Sequence, residues 1–235
     1  MNNLNFLQII KDAFEKYLST HPRSNEKLKI LHGAISKDLE KRLNNRSYSF
    51  YSLGYTSNKE KNIIGRYINK KADIAILKDD EIVAGIAVKF VMSNYGQNSN
   101  NYFENMLGET ANIRCANIPY FQVFVMPEKL PYYNKKQEIS KWEEIKNHHI
   151  KKYITLSDDN IDVYLHTPNK TLICIVKIPE CDISKITNKE EYKNYYLKNK
   201  NLIEFSSQKY SFKKNVIYND YNDFIVKICH YIESI

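Results

Sequence analysis

Apolar residues in the first forty positions recur with a period near 3.6. Leu4, Leu7, Ile10, Phe14 and Leu18 share one stripe of residues 3–18, and Leu28, Leu31, Ile35 and Leu39 one stripe of 25–43. This spacing predicts two amphipathic helices. The period then shortens. Residues 46–55 read as a strand, and "KKADIAILKDDEIVAGIAVKFVM" (70–92) as two adjacent strands joined by a tight turn at Lys78-Asp79-Asp80. A helix over 100–117, an apolar strand over 119–127 and a helix over 136–152 follow. Residues 161–178 read as a hairpin turning at Pro168-Asn169, and 185–200 and 220–234 as helices. The strands at 82–92 and 120–126 are apolar on both faces, as strands covered by helices on both sides are. The pattern predicts an α/β or α+β sandwich around one mixed sheet. No repeat or linker divides the chain, so 1–235 reads as one domain in which 155–235 forms a lobe for recognition or dimerisation.

Two ionisable residues interrupt the apolar strands. Side chains alternate along a strand, so Val83, Gly85, Ala87, Lys89 and Val91 share a face, as do Asp73, Ala75 and Leu77. Direct antiparallel pairing about the turn puts Asp73 opposite residue 85. Lys89 then lies further out unless a bulge shifts the register. Buried charges are costly unless paired or ligated. The plainest account is an Asp73–Lys89 ion pair, or a lysine reaching solvent from the strand end.

Composition adds a partner class. The net charge is +8, carried by many lysines and only five arginines. Such an excess suits a polyanion, above all nucleic acid, although a lysine-rich solvated surface gives the same number. Cys115, Cys174, Cys181 and Cys229 form no C-x-x-C pair, which points to reduced, packed thiols and no zinc. His148 and His149 adjoin on a predicted helix, where neighbours diverge. No stretch approaches about 18 uninterrupted apolar residues, and the N-terminus reads as an amphipathic helix and not a signal peptide. A cytoplasmic location with no membrane partner is expected.

An aspartate on one strand, a lysine near the end of the next, and then a helix resembles the PD-(D/E)xK nucleases, specifically type II restriction endonucleases. "RYINKKADIAIL" with Asp73, "GIAVKF" with Lys89 and "QNSNNYFENMLGETANIR" carry the resemblance, over about residues 53–127. It implies an α/β fold with a restriction-endonuclease-like mixed sheet flanked by helices. It also implies Mg²⁺-dependent hydrolysis of double-stranded DNA by a twofold homodimer, working beside a cognate DNA methyltransferase. Carboxylates hold the cation, which activates water and offsets phosphate charge. The lysine orients the water and meets negative charge. Asp73 takes the role of first metal ligand and Lys89 that of the motif lysine.

The chain departs from the pattern two positions before the lysine, where Ala87 replaces the motif acid. Three readings follow: the carboxylate has moved to another element, the protein is a dead nuclease, or the position carries an inactivating substitution. Glu104 and Glu109, on the helix after the lysine strand, are the candidates for a moved carboxylate. About 140° of helix separates them, so they do not face one site together. Glu104 is the first choice, although Asn101 as N-cap with Glu104 at N3 also spells a capping box. Glu60 is a further candidate ligand or a solvated loop charge. Arg66, Lys70, Lys71 and Arg114 are candidate phosphate contacts. Gln97, Asn98 and Asn101 precede the predicted helix and suit adenine readout or simple capping. A non-cleaving nucleic-acid-binding protein on the same fold is the alternative function, and a structural protein with a plain Asp73–Lys89 pair is a third.

Overall fold

The computed structural model describes residues 1–20, 24–179 and 185–235; Cys181 lies outside them. Helices α1 (Asn3–Ser19) and α2 (Glu26–Leu43) open the chain. Strands β1 (Tyr48–Ser52), β2 (Lys61–Ile64), β3 (Asn69–Ala72), β4 (Ile74–Lys78) and β5 (Glu81–Phe90) follow, then helix α3 (Tyr95–Arg114). Next come β6 (Tyr120–Pro127), β7 (Lys129–Tyr133), β8 (Ile139–Glu144), α4 (Asn147–Ser157) and β9 (Lys170–Lys177). The chain closes with α5 (Lys189–Asn199), β10 (Glu204–Phe205), β11 (Val216–Tyr218) and α6 (Tyr221–Glu233).

The fold is α/β, with a seven-stranded mixed sheet. Its order is β1-β4-β5-β6-β9-β10, with β11 also beside β9. β1, β4 and β5 pair antiparallel, while β5, β6 and β9 run parallel. On one face Ile74, Ile76, Ile86, Val88, Phe121 and Val123 pack under α1, α2, α5 and α6. On the other, Phe124, Met126, Ile173 and Ile175 pack under α3 and α4. β6, sandwiched between them, is buried along its whole length, as its unbroken apolar run requires. Among the described residues no helix is long and apolar enough to cross a membrane. Cys115, Cys174 and Cys229 carry free thiols.

Several elements differ from the pattern reading. The β4–β5 turn consists of Asp79 (φ 49°) and Asp80 (φ 66°), both left-handed, as a two-residue primed hairpin turn needs. A bulge between the pairs Ile76↔Ala84 and Leu77↔Ile82 adds a residue to β5. Ile74 is thereby brought opposite Ile86, and Asp73 falls opposite Ala87 and not residue 85.

Helix α3 begins at Tyr95, a turn and a half before residue 100. Tertiary bonds set that start. Asn94 exchanges side-chain bonds with Tyr133 N and O (3.1 and 3.2 Å), and Gly96 N donates to Glu143 Oε2 at 3.0 Å. Gln97, Asn98, Asn101 and Glu104 are therefore inside the helix, so the expected Asn101/Glu104 capping box does not form. Residues 136–152 split into β8 and the start of α4. The expected 161–178 hairpin is turns followed by the single strand β9. Two short ribbons, β2–β3 and β7–β8, carry polar residues that masked their alternation.

Candidate metal centre

Three separate parts of the chain deliver one cluster. Asp73 occupies the bend where the chain leaves the β2–β3 ribbon and enters the main sheet as β4. The strand pairing is broken there, and the side chain takes over: Val88 N donates to Asp73 Oδ2 at 2.7 Å. The ribbon register Lys61↔Ala72, extended by one residue, sets Glu60 across from Asp73. The ribbon lies close over β5, because a side chain at Gly85 would meet Ile63 Cδ1 at 2.7 Å and the Tyr120 ring at 2.8 Å.

The third member comes from α2. His32 sits on the buried stripe of that helix with Ile35, Ser36, Leu39 and Leu43. Backbone contact fixes the helix against the loop leading to Glu60. A Cβ on Gly33 would lie 2.4 Å from Gly54 O, and one on Gly54 (φ +74°) 2.0 Å from Lys29 O. Only glycine permits both the approach and the left-handed turn. At its other end α2 is anchored through buried Asp38, which accepts from the Met1 amino group, Arg42 Nε (3.0 Å) and Tyr221 OH (3.1 Å).

The ligand atoms of His32, Glu60 and Asp73 all lie within 4.8 Å of one another. His32 has no exposed surface, and among the described residues no group hydrogen-bonds to either ring nitrogen. Buried polar atoms ordinarily find a partner, so this imidazole has two unspent lone-pair or N–H positions beside two carboxylates. Burial lowers its pKa, with the Asp73 charge opposing and the Lys89 charge assisting. The neutral ring that ligates metals is favoured. Burial and then the neighbouring Asp73 charge raise the Glu60 pKa, while Lys71 and Lys70 oppose. Two acids that repel each other at close range are relieved by a cation.

Lys89, near the end of β5, faces a cleft of about 450 Å³ between the sheet and α3. Ile68, Lys70, Glu104, Asn105, Gly108, Glu109 and Asn112 line the rest. The structure thus brings Asp73 and Glu60 together with His32, and Lys89 beside them. Glu104 and Glu109 line the cleft but are not among the three converging ligands. Glu109 pairs with Lys70 Nζ (3.0 Å) and accepts from Tyr120 OH. Ala87 is fully buried against Ile63, Ala72, Ala75, Ile113 and Tyr120.

The polar candidates divide further. Arg66 and Lys71 are exposed on the β2–β3 ribbon. Asn112 clamps that ribbon's tip: its Oδ1 accepts from Tyr67 N (2.9 Å) and Ile68 N (3.1 Å), and its Nδ2 donates to Ile68 O (2.9 Å). Gln97 accepts from Tyr132 OH, and Asn98 bonds back to Asn94 O. Asn101 is exposed on α3. Arg114 donates to the carbonyls of Tyr164 and Thr167.

Sequence reasoning missed His32. Its signal was a histidine on an otherwise apolar helical stripe, a place where an imidazole needs a partner. Compared with family models, curated proteins and solved structures, the chain matches none of them.

Proposed function

We propose that this protein is a divalent-cation-dependent endonuclease that hydrolyses phosphodiester bonds in double-stranded DNA, in the manner of type II restriction enzymes. One observation carries the reading: a buried imidazole with no hydrogen-bond partner among the described residues converges with two carboxylates, within the field of a strand lysine that itself lines a cleft. Asp73, Glu60 and His32 would hold the cation, which supplies charge to the phosphate and acidity to a bound water. The Val88 N–H fixes the Asp73 carboxylate in one rotamer. Lys89 points a cation at the cleft, where it orients the attacking water and balances charge developing on the phosphate oxygens. Arg66, Lys70 and Lys71, all on the ribbon, meet flanking phosphates. The net charge of +8 favours the approach of DNA. A cytoplasmic, homodimeric enzyme partnered by a DNA methyltransferase completes this reading.

A second reading, a binding protein that does not cut, is favoured by Ala87, which leaves the usual acid position apolar. Plasmid DNA incubated with Mg²⁺, Mn²⁺ or EDTA separates the two. Discrete cation-dependent fragments, lost in Asp73→Asn and Lys89→Ala, support the nuclease. Salt-sensitive DNA binding with no cleavage under any cation would replace it with the binding protein.

A further inference from the structure

We infer that His32 is a direct metal ligand and that the His32–Glu60–Asp73 cluster is a site for a nitrogen-accepting first-row divalent cation, Mn²⁺ and its neighbours, in preference to Mg²⁺. The inference takes the purpose of the site from the reading above, but its test reads metal binding alone.

The donor set is the first ground. Mg²⁺ is a hard ion that favours oxygen ligands in near-ideal octahedral geometry. Imidazole instead suits the first-row transition ions, whose affinity for nitrogen sites rises from Mn²⁺ onward. One imidazole with two carboxylates makes a mixed set whose charge balances a divalent cation.

The state of the imidazole is the second ground. His32 has zero exposure, and among the described residues neither ring nitrogen has a hydrogen-bond partner. A packing role alone would be served better by an apolar residue, since an unbonded buried polar group is costly. Its neighbours on the same stripe, Ile35 and Leu39, are also fully buried, so the stripe accepts apolar side chains. The glycine contact between Gly33 and Gly54 holds this turn of α2 close to the loop that carries Glu60.

The third ground is the position of the missing acid. The site is fed from the α2 side, upstream of Asp73, and not from α3. Ala87 is enclosed by Ile63, Ala72, Ala75, Ile113 and Tyr120, so a ligand there would displace apolar packing. His32 fills the coordination that Ala87 lacks without disturbing that cluster.

The test is Mn²⁺ binding to the full chain, followed by electron paramagnetic resonance as the free-ion signal falls, with Mg²⁺ as competitor. Pulsed measurements on bound Mn²⁺ then read coupling to ¹⁴N. We expect one tight Mn²⁺ site with imidazole nitrogen coupling, and Mg²⁺ displacing Mn²⁺ only at more than about 100-fold excess. His32→Gln should lose the coupling and weaken Mn²⁺ by at least about 10-fold. The nitrogen coupling is read on the unaltered protein, so a poorly folded variant does not spoil the test. An all-oxygen spectrum, coupling that survives His32→Gln, displacement by equimolar Mg²⁺, or no Mn²⁺ site would each overturn the inference. Nitrogen-coupled Mn²⁺ on a protein that cuts no DNA would leave the inference standing and remove the nuclease.

Discussion

Ala87→Glu introduces the acid that the PD-(D/E)xK motif carries at this position, and the structure gives it an unfavourable outcome. Ala87 has no exposed surface and lies among Ile63, Ala72, Ala75, Ile113 and Tyr120. Three additional heavy-atom groups of side chain plus a second oxygen must enter a filled space, an overpacking cost of about 1–3 kcal/mol. The new carboxylate is also buried opposite Asp73, and the effective penalty for an uncompensated buried charge is several kcal/mol. Together the metal-free variant should lose about 3–5 kcal/mol. Against a total stability of about 5–15 kcal/mol, that is a large shift in midpoint. A cation at about 100 times its dissociation constant returns about 2.7 kcal/mol to any form that binds it, so titration should be done in both chelator and Mn²⁺. Urea unfolding followed by circular dichroism measures both. We expect a loss of at least 3 kcal/mol in chelator and no gain in DNA cleavage with cation. If Ala87→Glu is as stable as the parent within about 1 kcal/mol, and cuts DNA that the parent leaves intact, position 87 faces the cation. The chain would then be disarmed at that residue, and the assignment of His32 as substitute ligand would fail.

Four further outcomes follow from the geometry. Asn112→Ala removes three side-chain bonds to the ribbon tip, and hydrogen exchange at Tyr67 and Ile68 should accelerate at least 10-fold while the α4 amides hold; equal rates in both proteins would show the clamp to be idle. Gly108→Ala should stabilise the fold by about 0.5–1 kcal/mol, because a Cβ there meets nothing within 4 Å, and a lowered thermal midpoint would contradict the open cleft. Arg66→Gln and Lys71→Gln should each reduce the slope of log affinity against log salt by about 1 for DNA, with a smaller change for Lys70→Gln, whose ammonium is engaged by Glu109; unchanged slopes would remove the ribbon from the DNA interface. Burial, then the adjacent His148, lowers the pKa of His149, whose Nδ1 accepts Lys146 N at 3.1 Å. The unfolded chain therefore takes up this proton first as pH falls, so the contribution is complete above about pH 6.5 and lost as pH drops through the lowered value. His149→Gln should flatten that part of the pH–stability curve.

Much of the fold was legible because burial forces a periodic signal. β5 and β6 are apolar on both faces, and α1, α2 and α6 carry clean stripes, so their existence and extents follow from the residues. What escaped was set at a distance. The start of α3 depends on Glu143 and Tyr133, about forty residues downstream, and no local pattern announces a cap supplied from another ribbon. β2 and β3 are exposed on one side and rich in Lys and Asn. Their alternation is therefore weak, although Ile63 is as buried as any core residue.

The candidate site divides along the same line, and the reason bears on how such sites arise. Asp73 and Lys89 stood out because each is a charge set in an apolar run, an anomaly within a few residues of sequence. Glu60 and His32 look ordinary locally, and are brought to Asp73 by long-range events that reinforce one another. The β2–β3 register carries Glu60 to Asp73. The Gly33–Gly54 contact carries α2 to the loop before Glu60. The single-residue bulge in β5 sets Ala87 opposite Asp73 and leaves Lys89 two residues further out. Placing an acid at 87 asks the sheet interior to hold a charge, whereas drawing ligands from a ribbon and a helix edge leaves the sheet apolar. A site assembled from outside the strand pair therefore loses the local spelling of the motif while its donors still converge. His32→Leu separates these terms in one protein: an apolar side chain on a buried stripe should keep or raise stability in chelator, and it should abolish nitrogen-coupled Mn²⁺. Nitrogen-coupled Mn²⁺ that survives in a folded His32→Leu protein would mean that the imidazole is held by the fold for packing, and that its convergence with two carboxylates has no ligand behind it.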